Sequence, residues 1–251
     1  MPVTQAAGRS LNYERIDGDG SKPVLVFLHE GLGSIRQWRD FPHKVAAATG
    51  HPALLYDRYG YGQSEVLQEP RRDVRFMHDE ALLSLPELLK RLHIQNPILI
   101  GHSDGASIAL IHAGAGFAVR KVVAMAPHVF IEDICITSIR KAAQAFETTD
   151  LPAKLSKYHR DARKTFYGWA DVWRDPKFER WDIREDYLPK ITCPVLAIQG
   201  HDDEYGTMAQ LDEIAWRVQG PCELLKLDHC GHAPFRDQPE KVLEAVKEFL
   251  C

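Results

Sequence analysis

Residues 97 to 107 read PILIGHSDGAS, and this stretch constrains the fold more than any other. Ile98 to Ile100 is an apolar run of strand length, too short for a helix, and the small residues from Ala106 to Ala115 predict a helix. Ser103 therefore stands on a strand-to-helix corner. So sharp a corner strains the backbone and admits only residues without bulk beside it, which accounts for Gly101, Gly105 and Ala106 and leaves the serine hydroxyl projecting. G-x-S-x-G by itself is a weak signal. Its weight comes from the strand, turn and helix that surround it here.

The same strand signal recurs along the chain, in VLVFL (24–28), ALLY (53–56), KVVAM (121–125), PVLAIQG (194–200) and ELLKL (223–227). Several of these runs are apolar without alternation, as in parallel strands covered on both faces, and helical patterns such as 78–92 and 206–218 lie between them. The expected fold class is α/β, an open, doubly wound and mostly parallel sheet. Ligands of such sheets bind beyond the carboxyl ends of the strands, so the residues just after each strand are the candidates for function.

The alternation stops between 130 and 187, a helical insertion that holds 10 of the 23 aromatic residues. The predicted organisation is a core of residues 1–129 and 188–251, with 130–187 as an inserted helical cap. Within the insertion Leu151, Leu155, Tyr158, Ala162, Phe166 and Trp169 are spaced like one face of a single helix. Lys154, Lys157, Arg160 and Arg163 fall on another face and read as a solvated stripe. The aromatic residues, Trp169 among them, suit either a small packed core or the roof of a pocket that contacts substrate.

Composition narrows the partners. At 251 residues and 45% hydrophobic the chain can bury a large core, and a net charge of -4 does not fit a nucleic-acid binder, whose footprint is basic. No apolar run approaches the ~18 residues of a membrane span, and the first residues lack a signal-peptide pattern. Five cysteines without C-x-x-C pairing read as free thiols, which suits a cytoplasmic location. DHCGH (228–232) brings His229, Cys230 and His232 close in sequence, yet no second ligand pair and no H-E-x-x-H accompany it, so no metal is expected.

A serine hydroxyl becomes a nucleophile when a base takes its proton and a third group orients that base. Asp202 and Asp203 follow the strand PVLAIQG, and His232 follows ELLKL on a loop that begins DHCGH. The order serine, aspartate, histidine is that of the α/β-hydrolases.

The chain resembles the α/β-hydrolase family over nearly its whole length, through LVFLHEGLGS, YDRYGYGQS, LIGHSDGAS, CPVLAIQGHDDE and CGHAPFRDQPE. The resemblance implies a triad of Ser103, Asp203 and His232. Asp203 lies three residues past Gly200, with Asp202 as the fallback and Asp133 as the position used by members that take the acid from the preceding strand. His232 matches the family's G-H-x-P through Gly231 and Pro234, while Asp57 of YDRYG shapes a turn. The family's H-G-x loop implies oxyanion donors from the amides of Gly31 and Asp104, with Glu30 standing where many members have glycine. A carboxylate at that position either repels the developing anion or turns away and fixes the loop.

In esterases of the valacyclovir-hydrolase type an S-D-G elbow similar to this one reads a substrate ammonium, a role that would fall to Asp104. Its ordinary role is favourable charge at a helix N-terminus. His128, after KVVAMAP, is a candidate substrate contact alongside Glu30 and Trp169. The implied activity is hydrolysis of small to medium carboxylic esters or lactones through an acyl-enzyme, without cofactor. Carbon-carbon bond hydrolysis of ring-cleavage products is the alternative enzyme, and a non-catalytic small-ligand receptor the alternative of another class. The sequence does not reveal the oligomeric state.

Overall fold

The computed structural model describes residues 2–251. Its eight strands are β1 (Val3–Ala6), β2 (Arg9–Ile16), β3 (Leu25–Leu28), β4 (Ala53–Tyr56), β5 (Ile98–His102), β6 (Lys121–Met125), β7 (Val195–Gly200) and β8 (Cys222–Leu227). They form one sheet in the order β1-β2-β4-β3-β5-β6-β7-β8. From β4 to β8 every pairing is parallel, and β1 and β2 join antiparallel at one edge. The six apolar runs read from the sequence coincide with β3 to β8. β1 and β2 are missing from that reading because VTQA and RSLNYERI lie at an edge, half exposed and mixed in polarity.

Helices cover both faces. Phe41 and Val45 of α1 (Phe41–Thr49) and Val242 and Val246 of α10 (Pro239–Leu250) pack with Phe27, Ile100 and Ile198 on one side. On the other, α3 (Leu85–Arg91), α4 (Asp104–Gly114) and α8 (Ala209–Arg217) cover Val26, Leu99 and Val122. α3 continues from α2 (Phe76–Asp79) through a π-helical turn, Glu80–Ser84. Covering on both sides is why the central strands carry unbroken apolar runs. No helix among the described residues is long and apolar enough to cross a membrane.

Between β6 and β7 the chain leaves the sheet for α5 (Asp133–Thr148), α6 (Leu151–Leu155) and α7 (Ala162–Trp173). The single helix expected over 151–169 is two, broken between Leu155 and Ala162. Asp161 stops continuity by capping α7, its side chain accepting the Lys164 amide at 2.9 Å. His159 fills the break. Its buried ring accepts the Gly62 amide at 2.9 Å and donates to the Leu32 carbonyl at 2.9 Å, tying the segment to two loops of the sheet. Helical spacing persists across the break because Leu155, Phe166 and Trp169 all turn toward the same interior. Lys154, Lys157, Arg160 and Arg163 are exposed, as expected of a solvated stripe.

Strand order reverses about β3, since β4 lies on one side of it and β5 on the other, which is where ligands enter open sheets. Leu28 pairs with Gly101, so the loop after β3 is laid beside the corner after β5. That approach is as close as the chain permits. A Cβ on Gly105 would stand 2.0 Å from the Leu28 carbonyl oxygen, and one on Gly101 2.3 Å from that of Gly105.

Because backbone on both sides blocks relief, Gly105→Ala is expected to lower unfolding stability by about 3 kcal/mol, the upper end of ordinary overpacking. Gly20→Ala, with nothing within 4 Å of the new methyl, should change it by less than about 0.5 kcal/mol. Urea denaturation of the two variants checks this, and equal stabilities would mean the two segments are not held together as described.

Candidate active site

The corner after β5 carries the strain that its sequence predicts. Ser103 adopts φ 53° and ψ -121°, a left-side backbone that side chains other than glycine's rarely take, at a cost of about 1–3 kcal/mol. α4 begins at the next residue. The turn pushes the Ser103 hydroxyl out of the sheet, where His232 Nε2 lies 2.9 Å from Oγ. His232 Nδ1 lies 2.8 Å from Asp203 Oδ1.

Asp203 is fixed in turn. Its Oδ1 accepts the Tyr205 amide at 2.9 Å and its Oδ2 accepts from the buried Gln199 at 3.2 Å. Burial would raise the Asp203 carboxyl, but the His232 ring and the Tyr205 amide hold it below the usual carboxylate range. The converse holds for His232. Burial opposes its cation, and Asp203 outweighs burial and lifts its pKa above the ordinary value. Asp202 and Asp133 are exposed and make no contact with the ring. His229, also exposed, is three residues too early in the loop.

Neither the Gly31 nor the Asp104 amide is taken by another group among the described residues. Two free backbone donors beside a serine are what an anion formed there needs. The Gly31 loop is braced from below by Arg58, a buried residue that the sequence reading did not single out. Its Nη2 donates to the carbonyls of Glu30 at 2.8 Å and His29 at 3.1 Å. From above, the indole of Trp169 rests on the loop so closely that a Cβ on Gly31 would stand 2.1 Å from its Nε1.

Glu30 takes the second of its two options and turns away. Its Oε2 lies 3.2 Å from His102 Nδ1 and its Oε1 3.4 Å from Arg236, so one side chain joins the β3 loop, the β5 strand and the His232 loop. His102 Nε2 donates to the His232 carbonyl at 2.6 Å, which anchors that loop. Burial keeps the His102 ring neutral, its pKa down at about 4 against the pull of Glu30. Burial likewise acts against the charge on Glu30, but nearby positive charge, above all the permanent charge of Arg236, holds its carboxyl below the usual range.

Asp104 is wholly buried, and neither carboxylate oxygen has a hydrogen-bond donor. Burial raises its pKa to about 6, with Arg58 at 3.9 Å pulling the other way. Both oxygens are shut from solvent, an arrangement that suits a partner for Arg58 better than a reader of substrate ammonium. His128 is buried rather than solvated, its ring 5.0 Å from Trp173 and 5.9 Å from His232. Desolvation drops its pKa to about 3, so it is neutral. Asp57 accepts the amides of Ile35 and Gln63 and the Asn12 side chain, which makes it a turn organiser.

A cavity of about 370 Å³ opens over Ser103 and the Gly31 loop. Ile139, Leu155, Trp169 and Trp173 of the insertion form its apolar wall, and Glu204 and Asp237 add carboxylates. Arg58, His102 and Arg236 sat unmarked in the sequence because ordinary motifs surround them. The arginine in YDRYG was the one available sign.

A family model described as the alpha/beta hydrolase family matches residues 25–245. The sn-1-specific diacylglycerol lipase ABHD11 of Danio rerio is 34% identical over 104 residues, 41% of this chain and 31% of that protein. The proline iminopeptidase of Saccharolobus solfataricus is 25% identical and the alignment covers 97% of this chain and 89% of that one. The crystal structure of the enol-lactonase from Burkholderia xenovorans LB400 superposes with a TM-score of 0.78 at 20% identity, over 99% of both chains.

The histidine titration tests the local electrostatics without reference to any reaction. Followed by NMR, the His232 ring is expected to titrate with a midpoint above 6.5, and Glu30→Gln should lower that midpoint because Glu30 adds to its cation's stability. A wild-type midpoint at or below 6.5, or one that the substitution leaves in place, contradicts this account.

Proposed function

The chain belongs to the alpha/beta hydrolase family, and from that premise we propose that it is a serine hydrolase acting on small to medium carboxylic esters or lactones. The observation that carries this reading is the hydrogen-bonded chain from Ser103 through His232 to Asp203, set beside two free backbone amides. Ser103 Oγ attacks the ester carbonyl while His232 Nε2 takes its proton. The anion rests on the amides of Gly31 and Asp104, and His232 then protonates the departing alcohol. Asp203 keeps the second ring proton on Nδ1 and stabilises the cation. Water repeats the sequence on the acyl-enzyme. The insertion serves as cap, with Trp169 and Trp173 contacting the acyl or alcohol group.

Charge in the cavity narrows the substrate. Glu204 and Asp237 face it, while Arg236, the cation among its lining residues, is shared with the Gln37 carbonyl and with Glu30. An ester that carries its own carboxylate meets two carboxylates and one arginine already paired with Glu30, so uncharged acyl groups are preferred.

Two measurements test the reading. Ser103→Ala should lower turnover of p-nitrophenyl esters by on the order of 10⁴-fold or more, since the three groups act as a unit. Wild-type protein that hydrolyses no ester from acetate to octanoate would point instead to carbon-carbon cleavage or to a receptor. In the second, p-nitrophenyl butyrate should exceed an anionic dicarboxylate monoester of similar length by about tenfold or more in kcat/KM. Equal rates would remove the charge argument and leave the triad untouched.

A further inference from the structure

A second cavity, of about 310 Å³, lies between the 59–76 loop and the first turns of α2, and it shares no lining residue with the one over Ser103. Its floor holds Glu80, a side chain only 8% exposed. One carboxyl oxygen, Oε1, accepts the buried Tyr56 hydroxyl at 2.7 Å. Oε2 has no hydrogen bond and no ion pair among the described residues, and it is the oxygen left to face the cavity. Ser84, also buried, lines the same floor, and no described residue hydrogen-bonds its hydroxyl.

The backbone explains how both reach the cavity. Glu80–Ser84 is a π-helical turn, and the extra residue per turn brings Glu80, Leu83 and Ser84 to one side. Turns of this kind carry a packing cost and concentrate at functional sites. Leu67 and Phe76 supply buried apolar wall, and Leu83 stands at the rim with 59% of its surface exposed.

Cations already present do not answer Glu80. Arg9 pairs with Glu65 and Glu69, and Arg71 pairs with Asp175. Arg72 donates to the Tyr59 carbonyl and lies over the Tyr61 ring. Asp79 and Asp73 add negative charge near the mouth. We propose that this groove is a second binding site, which takes a small amphiphile bearing a protonated primary amine. The ammonium donates to Glu80 Oε2 and Ser84 Oγ, and the apolar body lies against Leu67, Phe76 and Leu83. The inner wall is also the back of α7, since a Cβ on Gly168 would stand 2.7 Å from Leu67 Cδ2. The next residue is Trp169, whose indole rests on the Gly31 loop.

The probe is 2-(4-fluorophenyl)ethylammonium, with 2-(4-fluorophenyl)ethanol as its uncharged counterpart, each titrated against the full chain by ¹⁹F NMR. The ammonium is expected to bind saturably, and the alcohol about tenfold more weakly, the usual loss when a charged hydrogen bond is not made. Glu80→Gln should weaken the ammonium by about tenfold. Leu83→Arg, a change at an exposed rim position that leaves the fold intact, should weaken it comparably by setting a cation over the mouth. Ser103→Ala should bind as the wild type does, which separates this site from the catalytic cavity and from the proposed hydrolysis. No saturable binding, equal binding of the alcohol, or affinity unchanged by both Glu80→Gln and Leu83→Arg would overturn the proposal.

Discussion

The contact on which this structure depends is the one between Gly105 and the Leu28 carbonyl. It lets α4 start immediately beside the end of β3, so that the Ser103 corner and the Gly31 loop face each other across a single strand spacing. Everything chemical about the site follows from that approach. The serine hydroxyl projects because its own backbone is strained, and the two amides beside it are free because one opens a helix and the other belongs to a loop without a sheet partner. A side chain at residue 105 would force these segments apart and separate donor from nucleophile.

Around that contact the protein buries an unusual amount of charge. Arg58 and Asp104 are both essentially without solvent exposure, and the half-buried Glu30 and Arg236 form a second group with the buried His102. Such groups contribute little net stability, because desolvation offsets most of their attraction. Their value lies in geometry. Arg58 pulls two carbonyls of the Gly31 loop downward, and Glu30 with His102 connects the loop, the nucleophile strand and the His232 backbone. A glycine at position 30 would leave that last connection unmade.

The helical insertion shows where reading by periodicity succeeds and where it stops. Spacing identified the face that Leu155, Phe166 and Trp169 turn inward, since either one helix or two must present apolar residues to the same core. Spacing said nothing of the break between α6 and α7. That break depends on His159, whose two ring nitrogens are satisfied by Gly62 and Leu32, residues 97 and 127 positions away. The half-exposed β1 and β2 were likewise unreadable, because VTQA and RSLNYERI mix polar with apolar residues and hold no continuous apolar run.

Sequence alone determined the α/β class and six of the eight strands, and it placed Ser103, the Asp202–Asp203 pair and His232 at or beyond the carboxyl ends of strands. It could do so because burial on both faces imposes apolar runs, and because a strand-to-helix corner demands small residues at fixed offsets. Only the tertiary structure decided that Asp203 rather than Asp202 meets the ring, that Glu30 turns from the cavity, that Asp104 faces Arg58, and that Trp169 closes over Gly31. Each of those outcomes depends on a partner far along the chain, and local residue pattern carries no record of which distant group arrives opposite.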